Sequence, residues 1–254
     1  MYDAHIHLDW YPDEEQDAII QDLKKQCIKG VVAVSSDLIS CKKVLELSNK
    51  TANIFPALGW HPEQPLPSQI ELNAIMNLIR KHHKEIVAIG EVGLPYYLKQ
   101  ENSSIQLSDY KRIISEFFQL AKQYELPIVL HAIYEDATVI CDLLEKFDVK
   151  KAHFHWFKGS KDIMKRMIQR GYRISITPDC MYEEEIKEIV AFYPLELMMV
   201  ETDGPWQFEG PREKSTHPYM IKDVIAQIAR IKKIEREVVI DTVTRNTEEF
   251  YKLN

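Results

Sequence analysis

Six residues with metal-binding side chains stand at the ends of apolar runs. His5 and His7 flank Ile6 near the start of the chain. In an extended strand, residues two apart point the same way, so both imidazoles project from one face, close enough to chelate one ion. Glu91 lies in Ala88-Ile-Gly-Glu-Val-Gly93, and His131 closes Ile128-Val-Leu-His131. His155 closes Ala152-His-Phe-His155, and Asp203 follows Val200-Glu-Thr. Charged groups at the ends of buried runs are expensive unless paired or metal-bound. Four imidazoles and two carboxylates suit a borderline divalent ion such as Zn²⁺, or Mn²⁺ and Mg²⁺ where carboxylates and water dominate. The chemistry such a set offers is hydrolysis by a metal-activated water.

For these side chains to meet, the strands that carry them must end together. Short apolar runs occupy residues 1–8, 30–35, 53–59, 86–91, 127–131, 151–156, 172–177 and 197–201. Several are rich in Val and Ile, as parallel strands covered on both faces are. Helical i, i+3, i+4 repeats lie between them at 12–29, 70–84, 108–124 and 135–147. The last helical region runs from Pro218 to the terminus, and Ser108 is the expected N-cap of the third helix. Strands alternating with helices, eight in number, predict an α/β chain: a (β/α)₈ TIM barrel over residues 1–254, with its metal site at the C-terminal ends of the strands. The rival is an open doubly wound sheet, and no Gly-rich dinucleotide loop follows the first strand to support it. The irregular stretch 204–218 is long enough to suggest function.

Composition narrows the class. The 254 residues are 45% hydrophobic and 28% charged, as in an ordinary globular protein. A net charge of -7 gives no global basic field, so a nucleic-acid substrate would need locally placed cations or bound metal. The four cysteines form no CxxC pair and read as reduced thiols. Met1 runs straight into the first strand, leaving no room for a signal peptide, and no apolar run reaches the roughly 18 residues a membrane span needs. These features predict a cytoplasmic protein with no membrane partner.

The order of the motifs resembles the TatD-type metal-dependent hydrolases of the amidohydrolase superfamily. The matching segments are Asp3-Ala-His-Ile-His-Leu-Asp9, Gly59-Trp-His-Pro62, Gly90-Glu-Val-Gly-Leu94, Pro127-Ile-Val-Leu-His131, His155-Trp-Phe-Lys-Gly-Ser160 and Glu201-Thr-Asp-Gly-Pro205, spread over essentially the whole chain. The resemblance implies two divalent ions. His5, His7, Glu91 and Asp203 would hold one, and Glu91 would bridge to a second held by His131 and His155. It also implies a phosphodiesterase or deoxyribonuclease acting on DNA or a nucleotide-like substrate, with Asp203 as proton acceptor and His61 as a substrate contact. Lys158, Arg212 and Lys214 are the cations expected to meet an anionic substrate. Of the other polar residues, Glu201 is expected to orient a ligand by a hydrogen bond. His153 is expected in the core, and His82 with His83 in a solvated helix end. His217 has no assigned role.

The chain departs from the family pattern outside the metal set. Pro95 stands where an acidic residue often follows Gly-Leu. No arginine follows His131, and the 211–218 stretch keeps Arg212 and Lys214 but loses the usual glycine and asparagine. The alternatives are a metallohydrolase acting on a lactone, amide or phosphoester, and a catalytically inactive metal-holding partner protein.

Overall fold

The computed structural model describes residues 1–208 and 216–253. Eight strands form: β1 (Tyr2–Ile6), β2 (Gly30–Val34), β3 (Ile54–Leu58), β4 (Ala88–Gly93), β5 (Ile128–His131), β6 (Ala152–Phe154), β7 (Arg173–Ile176) and β8 (Met198–Val200). They pair in sequence order, every neighbour parallel. The seam between first and last strands is closed by the loops that follow them. The Asp203 N–H donates to His5 O at 3.0 Å and the His7 N–H to Gly204 O at 2.8 Å. Asp3 adds a side-chain stitch, its Oδ1 accepting the Thr202 N–H at 3.0 Å. The chain is therefore a (β/α)₈ barrel.

The helices are α1 (Asp13–Lys25), α2 (Leu38–Lys50), α3 (Gln69–His82), α4 (Tyr96–Glu101), α5 (Leu107–Tyr124), α6 (Tyr134–Phe147), α7 (Lys161–Arg170), α8 (Glu184–Phe192), α9 (Ile221–Lys232) and α10 (Arg236–Tyr251). Each long helix buries an apolar stripe against the strands, as Ile113, Ile114, Phe117 and Phe118 do on α5. Side-chain oxygens of Asp37, Ser68 and Ser160 cap α2, α3 and α7. Two expectations need correction. Ser108 is not the N-cap of α5; it lies inside the helix, which starts at Leu107 with Gln106 at its cap and no side-chain cap bond. The C-terminal helical region is two helices, because Lys233 takes a left-handed conformation with φ 56° and ends α9.

Two apolar layers result. The larger lies between strands and helices. The smaller fills the barrel's interior with Ala4, Val32, Val34, Ala57, Ala88, Val129 and Met199, and is plugged below by Phe250 and Tyr251 of α10. Small side chains here leave room inside for His153, Ser175 and Glu201, all buried. Among the described residues no helix is long and apolar enough to cross a membrane.

Candidate metal centre

The donors converge at one end of the barrel, as strand-end placement requires. Local irregularities aim them. The β1–β2 register shifts between Asp3 and Ile6, around His5, and the β4–β5 register shifts between Ile89 and Val92, around Glu91. Such bulges turn side chains away from the regular pleat. Glycine permits the close packing this needs. A Cβ on Gly59 would stand 2.6 Å from Glu91 O, and one on Gly90 2.6 Å from Val129 Cβ.

Glu91 lies at the centre, its two oxygens facing different partners. Oε2 is 3.3 Å from His5 Nε2 and 3.2 Å from His7 Nε2. Oε1 is 3.0 Å from His131 Nδ1 and 2.6 Å from His155 Nε2. Asp203 Oδ1 completes the first group, 3.3 Å from His5 Nε2 and 3.8 Å from His7 Nε2. Donor atoms held about 2.1 Å from a common ion stand roughly 3.0–3.4 Å apart, so most of these spacings suit a shared cation. The donors of His5, His7 and Asp203, and those of Glu91, His131 and His155, each lie within reach of one ion. His5 Nε2 and Glu91 Oε2 are buried and make no hydrogen bond, which further fits the residues to a metal.

Burial works against every charge here, and neighbours decide the outcome. It pushes the His155 imidazole down to about 4, leaving a neutral ring with a lone pair to give. For Glu91 the surrounding imidazoles of His155, His61 and His5 outweigh burial and hold the carboxyl well below its usual range. Asp203 is likewise lowered against burial, chiefly by its contact with His5. His131 goes the other way, up to about 9, because the carboxylates of Glu63 and Glu91 outweigh its burial. Burial raises Glu201 to about 8.

Around the donors opens a cavity of about 400 Å³, walled by aromatic rings including Trp10, Tyr97, Trp156 and Trp206. The sequence profile of the TatD related DNase family matches residues 2–252. The chain belongs to this family. An uncharacterized metal-dependent hydrolase of Haemophilus influenzae is 36% identical over 254 residues, the whole of both chains. The human deoxyribonuclease TATDN3 is 28% identical, with 97% of this chain and 92% of that protein covered. The crystal structure of the Escherichia coli TatD homologue YjjV superposes with a TM-score of 0.90 at 22% identity, covering 100% of this chain and 98% of that one. The protein is thus a TatD-family metal-dependent hydrolase with clusters of His, Asp and Glu that could bind metal.

Against this family background, the remaining expected residues fall into place unevenly. His61 lines the cavity with Nε2 3.5 Å from Glu91 Oε1, while its Nδ1 accepts the Glu63 N–H at 3.2 Å. The neutral ring, which burial favours, therefore carries its proton on Nε2 and turns a donor to the cavity. Lys158 is not among the lining residues. Its ammonium pairs with Glu183 at 2.8 Å and lies 4.9 Å from the centroid of the Trp156 ring, one of the cavity walls. Arg212 and Lys214 lie outside the described residues.

The other polar residues have partners of their own, although Glu201 also lies within reach of an ion shared with His5 and His155. Glu201 lies 3.8 Å from His155 Nδ1, too far for the expected hydrogen bond. It accepts the Trp156 N–H at 2.7 Å instead, fixing the turn after His155. His153 is a core residue. Its Nδ1 accepts the Tyr251 hydroxyl at 2.6 Å and its Nε2 bonds Ser175 Oγ. His217 Nδ1 caps the turn before α9 by accepting the Tyr219 N–H. His82 pairs with Glu85 and His83 stacks on Tyr124 at the exposed end of α3.

Two features of the site carry no motif or periodicity in the sequence. Trp156 stands at φ 38° with its indole N–H donating to Asp179 Oδ2 at 2.6 Å, which makes it a rigid wall of the cavity. Glu63, immediately after His61-Pro62, sends its carboxylate to His131. An acidic residue directly behind the His-Pro pair was the available signal for the second.

Proposed function

We propose that the chain is a phosphodiesterase of the deoxyribonuclease type, working with two divalent ions that share Glu91. One observation carries the reading: the two oxygens of Glu91 face separate donor sets, His5 and His7 with Asp203 on one side, His131 and His155 on the other. Zn²⁺, Mn²⁺ and Mg²⁺ are the candidate ions. Bound divalent ions supply Lewis acidity, lowering the pKa of a water and stabilising charge on a phosphoryl oxygen.

The chain's own residues do the rest. Asp203 is held ionised by its imidazole neighbours and lines the cavity, so it takes the proton of the attacking water. Glu91, kept ionised at the bottom of the site, balances positive charge between the two donor sets. His61 offers its Nε2–H to an oxygen of the substrate. The aromatic wall suits the flat face of a nucleobase, and the likeness to a human deoxyribonuclease supports a DNA substrate. Arg212 and Lys214 are the sequence's candidates for further phosphate contacts.

A second reading is favoured by the lining itself. Glu63 and Glu101 both face the cavity, and among the described lining residues there is no Lys or Arg. Such a wall suits an uncharged lactone or amide better than an anionic phosphoester. The discriminating experiment compares hydrolysis of a chromogenic phosphodiester with a lactone and amide panel, each with and without added divalent ion. Metal-dependent turnover of the phosphodiester above the rest is expected. Faster turnover of a lactone or amide would replace it with the second reading.

A further inference from the structure

Glu63 has no part in the mechanism above, yet its carboxylate is held from two directions. Oε1 accepts the Tyr97 N–H at 2.9 Å and Oε2 the Leu98 N–H at 2.7 Å, both from α4. Oε1 also lies 3.1 Å from His131 Nε2. On the other edge of that ring, His131 Nδ1 faces Glu91 Oε1 at 3.0 Å and His155 Nε2 at 3.2 Å.

An imidazole coordinates through Nδ1 only when Nδ1 carries no proton. The neutral ring then bears its proton on Nε2, and in a buried site that proton needs an acceptor. His131 is only 4% exposed. We infer that Glu63 is the positioning residue of the ion site formed by Glu91, His131 and His155: it accepts the Nε2 proton of His131 and keeps the Nδ1 lone pair turned to the ion. The inference rests on the two-ion reading. Glu63 does not belong to the group of atoms that reaches one ion with Glu91, His131 and His155. It acts through His131, fixing the ring's tautomer and plane and raising its basicity. Its two bonds to α4 make it stiff enough to do so, and they couple the loop after β3 to the ligand at the end of β5.

The test is a Zn²⁺ titration, in competition with a chromophoric chelator, of the wild type, Glu63→Gln and Glu63→Ala, with melting of the chelator-treated proteins measured in parallel. Gln keeps the shape and one acceptor oxygen but not the charge. Wild type should take two ions. In both variants the first ion should bind within about twofold of wild type and the second should weaken by about 10–100-fold, as for other outer partners of ligating histidines. Chelator-treated Glu63→Gln should melt somewhat below the wild type, because its amide nitrogen cannot accept the Leu98 N–H, but above Glu63→Ala, which loses both bonds to α4. If Glu63 only anchors α4, Glu63→Ala lowers the melting temperature while both affinities stay unchanged, and the inference is overturned. Equal weakening of both ions would overturn it too. A wild type that binds a single ion overturns the two-ion reading itself, and this inference with it.

Discussion

Asp203 and Glu91 are both buried carboxylates among imidazoles, yet their positions assign them different tasks. Asp203 stands at the edge of the donor group and borders the cavity, whereas Glu91 has no solvent exposure and touches both groups. Asp203→Asn keeps the shape and removes the basic oxygen. Its kcat should fall by ~10²-fold or more, the usual loss for a positioned base, while the ion at Glu91, His131 and His155 stays bound and the melting temperature holds. Near wild-type turnover would move the base to another residue. The imidazoles set a pH dependence of their own. His131 is raised to about 9, so below that pH the ring must release a proton before Nδ1 can bind an ion. Affinity for the ion at His131 should therefore rise about tenfold per pH unit between pH 6 and 8. Calorimetric titration in buffers of different ionisation enthalpy should detect the released proton, and a flat affinity over that range would refute the assignment.

Elements position these residues through features that differ in how far they can be read from sequence. The convergence of the candidate donors was legible because each stands at or near the end of an apolar run, although β1 ends at Ile6 and His7 lies just beyond it. The barrel was legible because eight short apolar runs, several of them rich in Val and Ile, alternate with amphipathic stretches. The start of α5 was not legible: Ser108 is a good capping type, but the chain enters the helix at Leu107, before it. The break at Lys233 was hidden because no glycine or proline marks it. The brace on Trp156 and the reach of Glu63 depend on loop paths that no periodicity encodes. Where a cap was formed, its contribution can be measured. Asp37 accepts the Ser40 N–H at 2.8 Å at the start of α2, so Asp37→Ala should lower stability by ~1 kcal/mol in denaturant unfolding. Ion content should not change, because α2 carries none of the donors.

At the scale of the whole molecule, the barrel is closed below by its own C-terminal helix and open above at the donors. A buried hydrogen-bond string joins the two ends: the Tyr251 hydroxyl to His153, His153 to Ser175, Ser175 to Glu201, and Glu201 to the backbone after His155. Tyr251→Phe would leave His153 Nδ1 unpaired in the core. That should cost about 1–3 kcal/mol by denaturant unfolding, with the same number of ions bound. A loss of bound metal in this variant would mean that the string governs the donors directly. The central claim, two ions sharing Glu91, is tested most directly by anomalous diffraction at the zinc edge from crystals of the Zn²⁺-loaded protein. Two peaks roughly 3.5–4 Å apart are expected, one among His5, His7 and Asp203 and one between His131 and His155, with one Glu91 oxygen toward each. A single peak, or two peaks with Glu91 bound to only one, would contradict it.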